Sequence, residues 1–181
     1  MSSTSADVDE LRRLMPPPAG DTRPVDWTRL ADTWERPFPP DYRRFMAEYG
    51  PGTVQDYLSV LEPEPKGPLD QARMDGMLEE TANAEDEWAD GGKSPELEDT
   101  EPLLITWAVS ASADLLCWDA TDPDPAKWPV LVNYRGKLRW DRYEGGMAAF
   151  LTKVLKADLP DCPLGDVTLW GRGSADFVRR G

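Results

Sequence analysis

The 181-residue chain contains no histidine. That removes the commonest general base, the commonest zinc ligand and every Ser-His-Asp or Cys-His pairing. Cysteine is scarce: Cys117 and Cys162 stand far apart with no CxxC, which speaks against a disulfide framework or a thiolate metal site. Cys117, in a β-rich run, reads as a small buried hydrophobe, and Cys162 as an exposed thiol with no activating neighbour. No apolar run approaches the roughly 18 residues of a membrane span. The opening "MSSTSADVDELRRL" lacks the apolar centre of a signal peptide. Positive charge is also short: 20 Lys and Arg stand against 34 Asp and Glu, a net charge of −14. Such a surface repels nucleic-acid phosphates and anionic membranes but steers a basic protein in. The expectation is a soluble cytoplasmic protein with a protein partner, no nucleic acid, no membrane, no metal and no cofactor.

What is present argues for one folded domain. Hydrophobic residues make up 40% of the chain and eight are tryptophan, enough for a core at this length. Val8, Leu11, Leu14 and Met15 predict a first helix, stopped by "PPPAG" at 16–20. Asp26 is placed to cap a second, on which Trp27, Leu30, Ala31 and Trp34 repeat a helical stripe. "FPPDYRRFMAEYGPG" (38–52) predicts a third, with Pro40 in its first turn, Asp41 favourable to the dipole and Gly50 just past its end. Its stripe of Tyr42, Phe45, Met46 and Tyr49 reads as core packing.

The period then changes. Val54, Leu58 and Val60 alternate and predict a strand. "LLITWAV" (103–109) and "DLLCWDA" (114–120) flank the small turn "SASA", and "PVLVNYR" and "KLRWDRY" flank Gly136, giving two hairpins. A last helix is expected over 144–157, and a turn-rich tail follows in which Leu169, Trp170 and Phe177 can pack back. Trp107, Trp118, Trp128 and Trp140 read as core or strand-edge residues. Consecutive strands joined by short turns favour an α+β fold with a mostly antiparallel sheet and helices on one side.

The segment before the hairpins is different. A helix is expected around 68–81, followed by a polar stretch. Residues 79–101 hold ten acids and one lysine. Such runs ordinarily stay solvated and mobile.

The order of these pieces resembles the SUKH superfamily, the SMI1/KNR4 family. The resemblance rests on "DWTRLADTWE", "FPPDYRRFMAEYGPG", "YLSVLEP", "LLITWAVSASADLLCWDATDPDPAKWPVLV" and "WDRYEGGMAAFLTKVL". Ala108 stands where the family often has a glycine. The resemblance implies a 25–157 domain carrying the 79–101 acidic insertion, preceded by an N-terminal helix and Pro-rich linker (1–24) and followed by a packing tail (158–181). It implies a central mixed sheet flanked by helices and a non-enzymatic role. Many bacterial members are immunity proteins that bind and neutralise polymorphic toxins, often nucleases, while others are regulatory or scaffold proteins. For an immunity role, the candidate partner-binding residues are Glu85, Asp86, Glu87, Trp88, Asp90, Glu98 and Asp99, with Asp122 and Asp124 of the 119–127 loop. Acids there can occupy a nuclease's phosphate cleft, and Trp88, alone among acids, can anchor the contact.

Two other readings are weaker. Asp119, Asp122 and Asp124 have calcium-loop spacing, but Pro123 and Pro125 obstruct that geometry and the EF-hand glycine and terminal glutamate are missing. A carboxylate hydrolase requires two perturbed acids in one pocket, which spacing alone does not show.

Overall fold

The structure, a computed structural model, describes residues 3–181. Helices α1 (Ser3–Leu14), α2 (Trp27–Trp34) and α3 (Pro40–Glu48) come first. Strands β1 (Gly52–Val54) and β2 (Leu58–Val60) follow, then α4 (Met77–Asp90) and β3 (Gly92–Lys93). The hairpins are β4 (Leu104–Ser110) with β5 (Leu115–Asp119) and β6 (Val130–Tyr134) with β7 (Arg139–Tyr143), before α5 (Met147–Lys156) and β8 (Phe177–Arg179). The strands form one open sheet in the order β3-β7-β6-β5-β4-β2-β1-β8. Every pairing is antiparallel except β3 with β7. The fold is α+β, as expected. No helix among the described residues is long and apolar enough to cross a membrane.

Local chemistry explains the first elements. Asp26 accepts the Arg29 N–H at 3.1 Å and caps α2. Pro40 opens α3, and Gly50 turns the chain away at φ +73°. The strand expected from the alternation of Val54, Leu58 and Val60 is in fact a tight hairpin. Gln55 and Asp56 both take left-handed backbone, at φ 54° and 51°, and the Tyr57 N–H returns to the Val54 carbonyl at 3.0 Å. The register pairs Val54 with Leu58, so a three-residue loop, 55–57, joins the strands. Gln-Asp gives no turn signal of the usual Asn-Gly kind.

Helices cover both faces of the sheet, not one. Ile105, Trp107, Leu116, Trp118, Val130 and Val132 pack in one cluster with residues of α1, α2, α3 and α5. Trp118 is central, edge-on to Tyr42 at 4.8 Å and beside Trp107 at 6.1 Å. Burying each such ring contributes on the order of 3 kcal/mol by area. This is offset by about 1–3 kcal/mol because the Trp107 and Trp118 indole N–H groups find no partner among the described residues. The alternate residues Leu104, Leu115, Cys117, Leu131 and Trp140 form a second cluster with Ala84 of α4 and Leu97. Alternation along each strand thus serves two cores rather than one core and solvent.

The tail joins the main body. Leu164, Leu169, Ala175 and Phe177 are buried, and Trp170 packs against them half-buried. Cys162 is half-covered by the same cluster rather than fully exposed. Phe177 stands edge-on to Phe45 and Tyr49 at 5.5 and 5.3 Å. Arg179 donates to the carbonyls of Tyr49 (2.6 Å), Glu48 (3.1 Å), Ala19 (3.1 Å) and Pro18 (3.3 Å). One guanidinium therefore grips both the end of α3 and the proline linker.

Candidate functional site

The stretch expected to be a helix at 68–81 and then a loose acidic segment is organised otherwise. Residues 69–71 make one 3-10 turn, and the helix proper, α4, runs from Met77 through Asp90. Gly76 at its start supplies no capping side chain. The cap comes from Glu64, whose Oε1 accepts the Leu78 N–H at 3.0 Å and whose Oε2 accepts the Arg73 N–H at 2.9 Å. Glu64 is buried, and a carboxylate aimed at first-turn amides is doubly favourable.

Met77, Leu78, Thr81 and Ala84 face the sheet. Thr81 Oγ1 accepts the Thr106 N–H at 3.0 Å, tying the helix to β4. Trp88 extends this inner stripe. It is half-buried, lies 5.4 Å from Trp140 and carries the Lys93 ammonium 4.8 Å from its ring. Trp88 stands alone among acids only along the sequence: in the fold it packs against the second cluster and seals it.

The outer face presents the acids. Glu85, Asp86 and Asp90 are exposed, and Glu87 is half-buried in an ion pair with Arg135. Among the described residues, Glu85, Asp86 and Asp90 meet no cation within ion-pair distance. Lys93, the one lysine of the acidic stretch, instead donates to the Trp88 and Gly91 carbonyls at 2.7 and 3.3 Å. It satisfies the end of the helix and leaves the carboxylates free. The Glu80 carboxyl is held above the usual range by burial, with the charges of Asp75 and Glu79 adding to the effect.

The other candidates lie elsewhere. Glu98 and Asp99 are exposed in the turn after the 3-10 segment 95–97, whose Leu97 is buried in the second cluster. The 3-10 turn beside Asp122 and Asp124 packs near α3, so the two acids do not join the α4 surface. Asp122 accepts the Asp124 N–H at 2.8 Å and Asp124 the Ala126 N–H at 3.0 Å, while Trp128 Nε1 donates to the Asp122 carbonyl at 2.7 Å. Their order is that of a stiffened turn. No group of three or more His, Cys, Asp or Glu residues among the described residues is placed to hold a metal ion.

One feature beside α4 had no sequence signal. Leu69 and Met74, in the strap leading into the helix, are 60% and 86% exposed and line a groove with Glu79, Ala82 and Asp86. Neither belongs to a periodic apolar pattern: Leu69 stands between Pro68 and Asp70, and Met74 between Arg73 and Asp75. No protein-family model, curated protein or solved structure matches the chain.

Proposed function

We propose that this is a non-enzymatic, cytoplasmic protein-binding domain whose α4 outer face occludes a basic partner. In the sense implied by the SUKH resemblance, the partner is a bacterial polymorphic toxin domain of nuclease type, and the chain is its immunity protein. The single observation that carries the reading is the acidic last turn of α4. Asp86, Glu87 and Asp90 stand where the helix macrodipole is negative, with no basic side chain in that turn. Acids there cost about 0.3–1 kcal/mol each in helix stability at exposed positions. Glu87 is paired with Arg135, and Lys93 meets the helix-end carbonyls. Asp86 and Asp90, however, have no cation within ion-pair distance among the described residues, and a partner that supplies positive charge explains them.

The buried carboxylates do not favour catalysis. Asp41, Glu64 and Asp114 each spend their oxygens on backbone N–H groups.

The test is association kinetics with the purified products of the neighbouring genes, screened for a basic toxin domain. Wild-type protein should bind rapidly at low salt and more slowly as salt rises. Reversal of Asp86, Glu87 and Asp90 to lysine should lower the association rate by about tenfold or more. An unchanged rate in that variant removes α4 as the docking face. An endogenous regulatory protein binding in the toxin's place would replace the immunity role with a scaffold role.

A further inference from the structure

We infer that the groove between the 69–75 strap and α4 takes an apolar side chain from a basic segment of the partner, with Leu69 and Met74 as the anchors. The inference rests on the reading of α4 as the docking face and adds what the partner must present there. Leu69, Ala72, Met74 and Ala82 give the groove its apolar lining, and Glu79, Asn83 and Asp86 its polar lining.

The anchors are held rather than trailing. Glu64 fixes the strap through the Arg73 N–H, and Arg73 pairs with Glu62. The Lys66 N–H donates to Thr33 Oγ1 at 3.1 Å, and the Asp75 N–H to Glu79 Oε2 at 2.6 Å. Asp75 takes left-handed backbone at φ 54°, which turns the chain sharply between Met74 and α4. Because the strap's backbone is already tied, ordering it on binding costs little, and the remaining entropy cost is that of the Leu69 and Met74 side chains themselves. Exposing them in the free protein brings the fold no benefit.

Charge selects the occupant. Asp70 and Asp75 of the strap add to Glu79 and Asp86 of the groove lining, and the strap's Arg73 is already engaged by Glu62. A nucleic acid or a second copy of this chain, at −14, brings charge of the wrong sign. The fitting ligand is a segment with a leucine-like residue flanked by lysine or arginine, in which apolar contact supplies residence and charge supplies encounter.

The test uses a fluorescent amphipathic Leu/Lys peptide of about 14 residues, long enough to form a helix on binding. It is titrated against the full chain beside a matched peptide with serine for leucine. The Leu/Lys peptide should bind and the Ser/Lys peptide should bind at least about tenfold more weakly. The double substitution Leu69→Ser and Met74→Ser should remove that preference while leaving the unfolding midpoint unchanged, since both side chains are exposed. Equal binding of the two peptides, or an unaffected double variant, overturns the groove. If lysine reversal of Asp86, Glu87 and Asp90 abolishes binding while the serine variant does not, the docking face stands and the groove falls. If neither variant matters, both fall. Self-association at low salt that the serine variant removes would give the groove to a second copy instead.

Discussion

The Asp41 carboxylate caps a distant helix: its Oδ2 accepts the N–H of Ala148, 107 residues downstream in the first turn of α5, at 3.2 Å. Gly146, at the N-cap position, has no side chain to do this, and a Cβ there would collide with the Asp41 carboxylate. Glu64 does the same for α4 at Leu78, again behind a glycine. Both helices open Gly-Met and both borrow their caps from earlier in the chain.

Removing a borrowed cap leaves buried first-turn amides unpaired. Asp41→Ala and Glu64→Ala should each lower unfolding free energy by about 1–3 kcal/mol, read from urea denaturation. Gly146→Ser, which ordinary capping preference would recommend, should also destabilise, because the added side chain displaces Asp41. A loss below about 0.5 kcal/mol in Asp41→Ala would show the contact to be incidental.

Burial raises the Asp41 carboxyl above its ordinary 3.8, against the lowering effect of the Ala148 and Tyr42 N–H groups. As pH rises the unfolded chain therefore releases this proton first. The Asp41 contribution is complete below the unfolded value and is lost as pH climbs through the folded one. Asp41→Asn does not titrate, so the wild type's advantage over it should shrink with rising pH. Urea midpoints from about pH 3.5 to about pH 7 decide this, and parallel curves would sink it.

Trp88→Ala should act on the fold before it acts on any partner. Losing the half-buried ring from Trp140 and Lys93 should cost about 2 kcal/mol in unfolding free energy. An unchanged denaturation midpoint, with binding lost, would return Trp88 to the role of an interface anchor.

The two thiols should differ sharply towards an aromatic disulfide reagent. Cys117 is fully buried beneath α4, and burial pushes its thiol up to about 12. Cys162 is raised more modestly, also by burial, and remains half-accessible. At about pH 8 one thiol should react slowly in the native protein and the second only in denaturant. Two equivalents reacting at one rate would contradict the buried position of Cys117.

The first three helices and both long hairpins were legible because their signals are local: Asp26, Pro40 and Gly50 punctuate, and the strand residues alternate. The acidity of Glu85, Asp86 and Asp90 was legible as composition. Their helix was not, since its inner stripe relies on Thr81 and Ala84 and its cap stands at Glu64. The hairpin at Gln55 and Asp56 hides for a related reason. The Gln55 N–H donates to the Asp176 carbonyl at 2.8 Å and its Oε1 accepts the Asp176 N–H at 2.9 Å, so distant chain supports the turn. Leu69 and Met74 carry no period, and their exposure depends on how the strap is tied.

The pairing of β8 with β1, far earlier in the sequence, also bears on how the chain is made. Gly52 pairs with Arg179, and the Phe45 and Tyr49 rings complete their cluster only with Phe177. While a ribosome is still adding the residues between, β1 has one neighbour and the aromatic socket stands open. Contacts this remote in sequence are slow to form and leave apolar surface uncovered in the interval. The chain must therefore be made through Phe177 before this edge of the sheet can close, and truncation ahead of Phe177 leaves the aromatic socket uncovered.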